Sequence, residues 1–175
     1  LLSGRPEGVS GTCIACVMEG SRPILVDIQA LAAKTSFGTP RRTAAGFDYN
    51  RMSLILAVLE KRAGYFFGNL DAYLNVVGGL RLDEPAADLP AAISLVSSLR
   101  DKAVPDGLVA FGEIGLAGEI RSVSHTAARI KEADRLGFTK CIVPAQALKQ
   151  VSGLNRLGIR VVGVSNLKQA FAALE

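Results

Sequence analysis

Between residues 23 and 31 the chain reads Pro-Ile-Leu-Val-Asp-Ile-Gln-Ala-Leu, an alternation that sets Asp27 and Gln29 among apolar positions and predicts a strand. The apolar run over residues 12–18, followed by Gly20 as a turn, predicts a strand before it, so the chain is expected to open with a hairpin. The period changes after Asp48. Met52, Ile55, Leu56 and Leu59 follow helical spacing, Asp48 can cap the first turn, and Lys61 and Arg62 precede Gly64 at the negative end of the helix dipole. A strand is predicted over residues 72–80. A helix over 86–99 carries Leu89, Ile93, Leu95, Val96 and Leu99 on more than one side and should be central.

Beyond it, short strands around glycine turns are predicted over residues 108–121, then a helix over 125–136 that stops at Gly137. A strand over 140–143, a last strand over 157–164 and a last helix over 166–174 complete the pattern. Residues 34–48, punctuated by Gly38, Pro40 and Gly46, are expected to lack regular structure. The fold class that follows is α/β (α+β), a mixed sheet with packed helices in which several strand neighbours are hairpin-linked.

Composition narrows this to one domain over residues 1–175. With 49% hydrophobic residues, 18 glycines and no tryptophan, the chain can bury a core of small aliphatic side chains. No internal repeat or long linker interrupts it. The net charge of +4 tolerates anionic partners without resembling a DNA-coating protein. The opening Leu1-Leu2-Ser3-Gly4 has no charged segment before an apolar run, and no apolar stretch is long enough for a membrane span, so a cytoplasmic setting without a membrane partner is expected. Cys13, Cys16 and Cys141 with a single histidine cannot readily complete a four-ligand zinc site. An offset of three along a strand puts Cys13 and Cys16 on opposite faces, as core residues.

Candidate chemistry is sparse at this level. No G-x-x-x-x-G-K-[ST] run is present, and Gly112, Gly115 and Gly118 lie between short strands, where glycine releases tight turns. His125 beside Ser124 could suggest a nucleophile and base, but a helix start there is better explained by capping from Ser122 or Ser124.

Residues 80–144 carry a more specific signal, an order of helix, strand hairpin, Gly-Glu-Ile, helix, Gly and Val-Pro that resembles the proteolytic domain of Lon. Where that family has Asp-Gly-Pro-Ser-Ala-Gly around its nucleophile, this chain has Asp83-Glu84-Pro85-Ala86-Ala87-Asp88, with Ala86 at the serine position. Ala117-Gly118-Glu119-Ile120, Leu136-Gly137-Phe138 and Ile142-Val143-Pro144 match downstream motifs, and that register puts Arg129 at the position of the catalytic lysine. A lysine can lose its proton in a desolvated site and act as a base, whereas arginine stays protonated with a pKa above about 12. The resemblance therefore implies a ribosomal-protein-S5-domain-2-like, Lon-type fold without peptidase activity.

Arg5-Pro6-Glu7-Gly8, the run Leu25-Val26-Asp27-Ile28, Pro40-Arg41-Arg42 and the segment Gly112-Glu113-Ile114-Gly115-Leu116 extend the likeness nearly end to end to the C-terminal domain of the bacterial RadA/Sms family of recombination ATPases. That resemblance implies a scaffold domain in a homo-oligomeric, hexameric ring acting on single-stranded or branched DNA in recombination and repair, alongside a recombinase such as RecA. ATP, Mg and Zn would belong to a zinc finger and a RecA-like ATPase core outside this chain, leaving no cofactor or metal for the domain itself. Two other readings remain: a divergent peptidase using Ser94, Ser97 or Ser98 with Lys102 or Lys131, and a Lon-like domain of the magnesium-chelatase or ComM group.

For nucleic acid, the residues themselves offer Lys34, Arg41, Arg42 and Arg51, since guanidinium forks suit phosphate oxygens. The same arginines could instead be solvated or pair with a neighbouring subunit's carboxylates. Phe37, Phe47 and Tyr49 are the aromatic residues near this run, too few for sequence-specific reading.

Overall fold

The computed structural model describes residues 2–175; Leu1, first in the opening run, lies outside them. β1 (Thr12–Glu19) and β2 (Arg22–Lys34) form the expected hairpin, paired antiparallel from Thr12↔Gln29 to Glu19↔Arg22, with Gly20 at φ 64° in the turn. They sit at the centre of a seven-stranded sheet. Its order is β3-β4-β2-β1-β5-β8-β9, where β3 is Arg42–Ala45, β4 Leu70–Val76, β5 Leu108–Ala110, β8 Lys140–Pro144 and β9 Arg160–Val164. β2 pairs antiparallel with β1 and β4, and the remaining pairs in this sheet are parallel. β6 (Glu113–Ile114) and β7 (Ile120–Arg121) form a separate small hairpin.

Strand alternation divides the core into two layers. Cys13, Ala15, Val26, Ile28 and Leu74 face a cluster built with α1 (Tyr49–Ala63), α2 (Asp88–Arg100) and α5 (Leu167–Ala172). Ile14, Cys16, Leu25, Val109 and Cys141 face the opposite cluster, which Ile130 and Ala133 of α3 (Thr126–Arg135) complete. Cys13 and Cys16 thus fall on opposite faces. Burial raises all three thiols, Cys16 to about 12 even with Arg129 opposing, so each is a small core residue in its thiol form.

α1 begins at Asp48, whose carboxylate accepts the Arg51 amide at 3.2 Å, and ends at Gly64 in the left-handed region. α2 is the central helix, buried from Asp88 through Ser97, and its fully buried leucines and isoleucine each contribute roughly 1.5–3 kcal/mol of apolar transfer energy. No helix among the described residues is long and apolar enough to cross a membrane.

Several boundaries differ from expectation. β3 lies within the stretch expected to be irregular: Ala44 turns toward the core and the strand completes one edge of the sheet. The strand expected over 72–80 ends at Val76 because Gly78 and Gly79 both take positive φ. Pro85–Ala87 forms a 3₁₀ turn before α2 begins. Neither Ser122 nor Ser124 caps α3: His125 occupies the cap position at φ 60° without a side-chain bond, and the Ser124 carbonyl is taken by Arg129. A further short turn, α4 (Ala145–Leu148), follows β8.

Candidate functional site

Glu84 and the 3₁₀ turn deliver Ala86 to the floor of the second core layer. Ala86 is buried, its carbonyl accepts the Gly112 amide at 2.9 Å, and the Gly112 carbonyl in turn accepts the Leu89 amide at 3.0 Å. Gly112 is required here: at φ 156° a Cβ would lie 2.8 Å from the Ile120 side chain. Phe111, beside this link, shares the cluster with Ala86, and the Arg129 guanidinium lies 5.6 Å over its ring.

Arg129 is the largest fully buried side chain, with 1% of its surface exposed. Its Nε donates to the Ser124 carbonyl at 2.8 Å, and Nη1 donates both to the Cys16 carbonyl at 2.7 Å and to Glu84 Oε1 at 2.5 Å. Glu84 Oε2 accepts the Met18 amide at 3.2 Å. β1 pairs with β5 only through Ile14↔Val109 and Ala15↔Ala110, so the Cys16 carbonyl and the Met18 amide face an edge without a strand partner. One ion pair closes both positions. Such a buried pair is tolerable because carbonyls and an amide satisfy its remaining polar capacity.

The basic residues do not form one cluster. Arg51 reaches inward with Nε and Nη2 to the Asp88 carboxylate, which is 1% exposed and also accepts the Ile114 amide at 3.1 Å. Desolvation raises the Asp88 carboxyl above its ordinary value, with the Arg51 and Ile114 bonds pulling the other way. Arg42 also turns inward, donating to the carbonyls of Phe67 at 2.8 Å, Leu70, and Arg41 at 3.3 Å. Lys34 and Arg41 are exposed at the two ends of a loop whose tip is Phe37, 92% exposed. Asp71 anchors that loop, accepting the Thr35 hydroxyl at 3.1 Å and the Arg41 amide at 2.7 Å. Phe47 is buried and Tyr49 lies exposed on α1. Three residues that organise these sites, Glu84, Asp88 and Asp71, were not singled out as functional from sequence. A buried arginine needs a carboxylate, and that requirement was the available signal for Glu84.

Residues 50–147, from the first turn of α1 into α4, match the family model described as subunit ChlI of Mg-chelatase. The chain belongs to the ChlI family. This ChlI-family chain is also 51% identical over 169 residues to DNA repair protein RadA of Bacillus subtilis (strain 168), an alignment covering 97% of the chain and 36% of that relative. RadA of Synechocystis is 48% identical over 171 residues, covering 98% of the chain and 33% of the relative. RadA of Streptococcus pyogenes serotype M3 is 47% identical over 173 residues, covering 99% of the chain and 38% of the relative. The chain thus spans little more than a third of the length of these curated relatives. The resemblance to the RadA/Sms family is borne out, and the α/β fold with a mixed sheet is the one expected of it.

Proposed function

We propose that this domain is a non-proteolytic Lon-like module of a RadA-type DNA repair ATPase, supporting assembly of a hexameric ring and touching DNA beside a recombinase. The observation that carries the reading is the Arg129–Glu84 pair, buried where the resemblance places a catalytic base, with Ala86 in the nucleophile's position. A permanently charged guanidinium engaged by two carbonyls and a carboxylate cannot accept a proton from a nucleophile. ATP, Mg and Zn chemistry would belong to other parts of such a protein.

The rival serines are occupied elsewhere. Ser97 Oγ accepts the Gly11 amide at 2.8 Å and donates to the Lys102 carbonyl at 2.6 Å, Ser98 Oγ accepts the Ala32 amide at 2.9 Å, and Ser94 bonds the Ala91 carbonyl at 2.9 Å. Lys102 pairs with Glu175 at 3.5 Å. Of the basic set, Lys34 and Arg41 have the exposure that phosphate contact requires, and Arg42 and Arg51 support the surfaces behind them.

Light scattering of the chain with single-stranded DNA titrated in tests the reading, alongside peptide hydrolysis. A ring or ring fragment that binds DNA and leaves peptides intact is expected. Turnover of a peptide substrate that disappears in Ser97→Ala or Ser98→Ala would overturn the non-proteolytic part.

A further inference from the structure

One half of one sheet face is left uncovered. α1, α2 and α5 pack on one side, while α3 on the other reaches the layer formed by Ile14, Cys16, Leu25, Val109 and Cys141. Toward the far ends of β2 and β4 that second side carries Gln29, Leu31, Tyr73 and Asn75, set side by side by the pairs Gln29↔Asn75 and Leu31↔Tyr73. Leu31 is 57% exposed. Together with Pro6 and Val9 on the flank, these four side chains line a cleft of about 330 Å³.

The chemistry of the cleft is selective. Its polar neighbour Asp27 is buried, and its carboxylate accepts the Thr12 hydroxyl and, at 3.2 Å, Gln29 Nε2. That bond orients the Gln29 amide and leaves Gln29 Oε1 and the Asn75 amide without protein partners among the described residues. A carboxylate beneath the cleft repels phosphate, whereas a flat neutral ring with polar edges fits apolar walls and two amides. An exposed cation stands beyond its end. The Arg41 carbonyl accepts the amide of Ala72, next to Tyr73, at 2.9 Å, and the Arg41 side chain has no ion-pair partner among the described residues. Lys34, three residues past Leu31, lies on the opposite face of β2.

We propose that this cleft holds an unpaired base of a single-stranded nucleic acid, its ring against Leu31 and Tyr73, its edge met by Gln29 and Asn75, and its backbone led to Arg41. The proposal rests on the DNA-contact reading and narrows it to unpaired strand, because a base within a duplex offers no free face.

The experiment measures fluorescence anisotropy of the 175-residue chain with labelled oligothymidine, an abasic strand of equal length and the corresponding duplex. Leu31→Glu and Asn75→Ala, both at exposed positions, are compared with the parent after circular dichroism establishes an unchanged fold. Oligothymidine should bind on the order of tenfold tighter than the abasic strand, and Leu31→Glu should erase that preference. Iodouracil photocrosslinking should map to Tyr73. Equal binding of base-bearing and abasic strands, still weakened by Arg41→Ala, removes the cleft and leaves DNA contact standing. No binding of any strand removes both. Self-association abolished by Leu31→Glu would assign the face to a second copy and overturn the proposal.

Discussion

Two arginine environments divide this molecule. Around Arg129, a buried guanidinium is held by two carbonyls and a carboxylate; around Arg41, only the backbone is held, and the side chain is left to solvent. The difference lies in what the neighbouring carboxylate does. Glu84 spends both oxygens on Arg129 and the β1 edge, whereas Asp71 spends an oxygen on a hydroxyl and an amide, fixing the loop's shape without neutralising its charge. Positive charge therefore serves cohesion in one place and remains available for a partner in the other.

Removing Glu84 is the largest test of this contrast. Glu84→Ala strands a buried guanidinium and frees the Met18 amide, and should cost about 3–5 kcal/mol in chemical denaturation. A loss below about 1 kcal/mol would mean that solvent reaches Arg129 after all. Arg42→Ala should cost about 1–3 kcal/mol through lost bonds to the Phe67 and Leu70 carbonyls, with increased amide exchange over residues 66–70 as its local signature. An unchanged exchange pattern there would detach Arg42 from that role.

Asp88 supplies a pH-dependent comparison. Its carboxyl is raised above the ordinary 3.8, so the folded state binds its proton more readily than the unfolded state. Its contribution to stability is then fully present below that value and is lost as pH rises through the folded-state value. Asp88→Asn should flatten this part of the stability profile; an identical slope in denaturation at several pH values would contradict it. Smallest in stability is Arg41→Ala, expected within roughly 0.5 kcal/mol of the parent. Its effect should instead appear as weaker DNA binding with a shallower salt dependence, by a slope of roughly 0.7 per single-strand phosphate released.

The central elements were legible because each carries its own local cause. Asp48 and Gly64 bracket α1, and the alternation through Asp27 and Gln29 marks β2. β3 was not, since Arg42-Thr43-Ala44-Ala45 has little periodicity and becomes a strand only through its parallel pairing with β4. The resemblance could put Ala86 and Arg129 at dyad positions by motif register, but the edge that Arg129 and Glu84 close could not be read that way. It exists because β5 stops after Ala110, a tertiary fact that leaves two groups of β1 unpaired. In the basic set, residue type could not separate Arg41, just before β3, from Arg42, its first residue. The distinction comes from which carbonyls lie within reach.

The three-way engagement of Arg129 also bears on the proposed loss of peptidase activity. A lysine carries a single ammonium on a flexible stem and cannot reproduce the fork that spans Ser124, Cys16 and Glu84. Arg129→Lys alone would unsettle the fold, and Ala86→Ser alone would bury a hydroxyl without a base. On the reading of a retired peptidase, neither single reversal is adaptive, so the loss works as an evolutionary ratchet. Descendants of such a domain are free to explore new surfaces, while the old chemistry stays locked behind a double mutation.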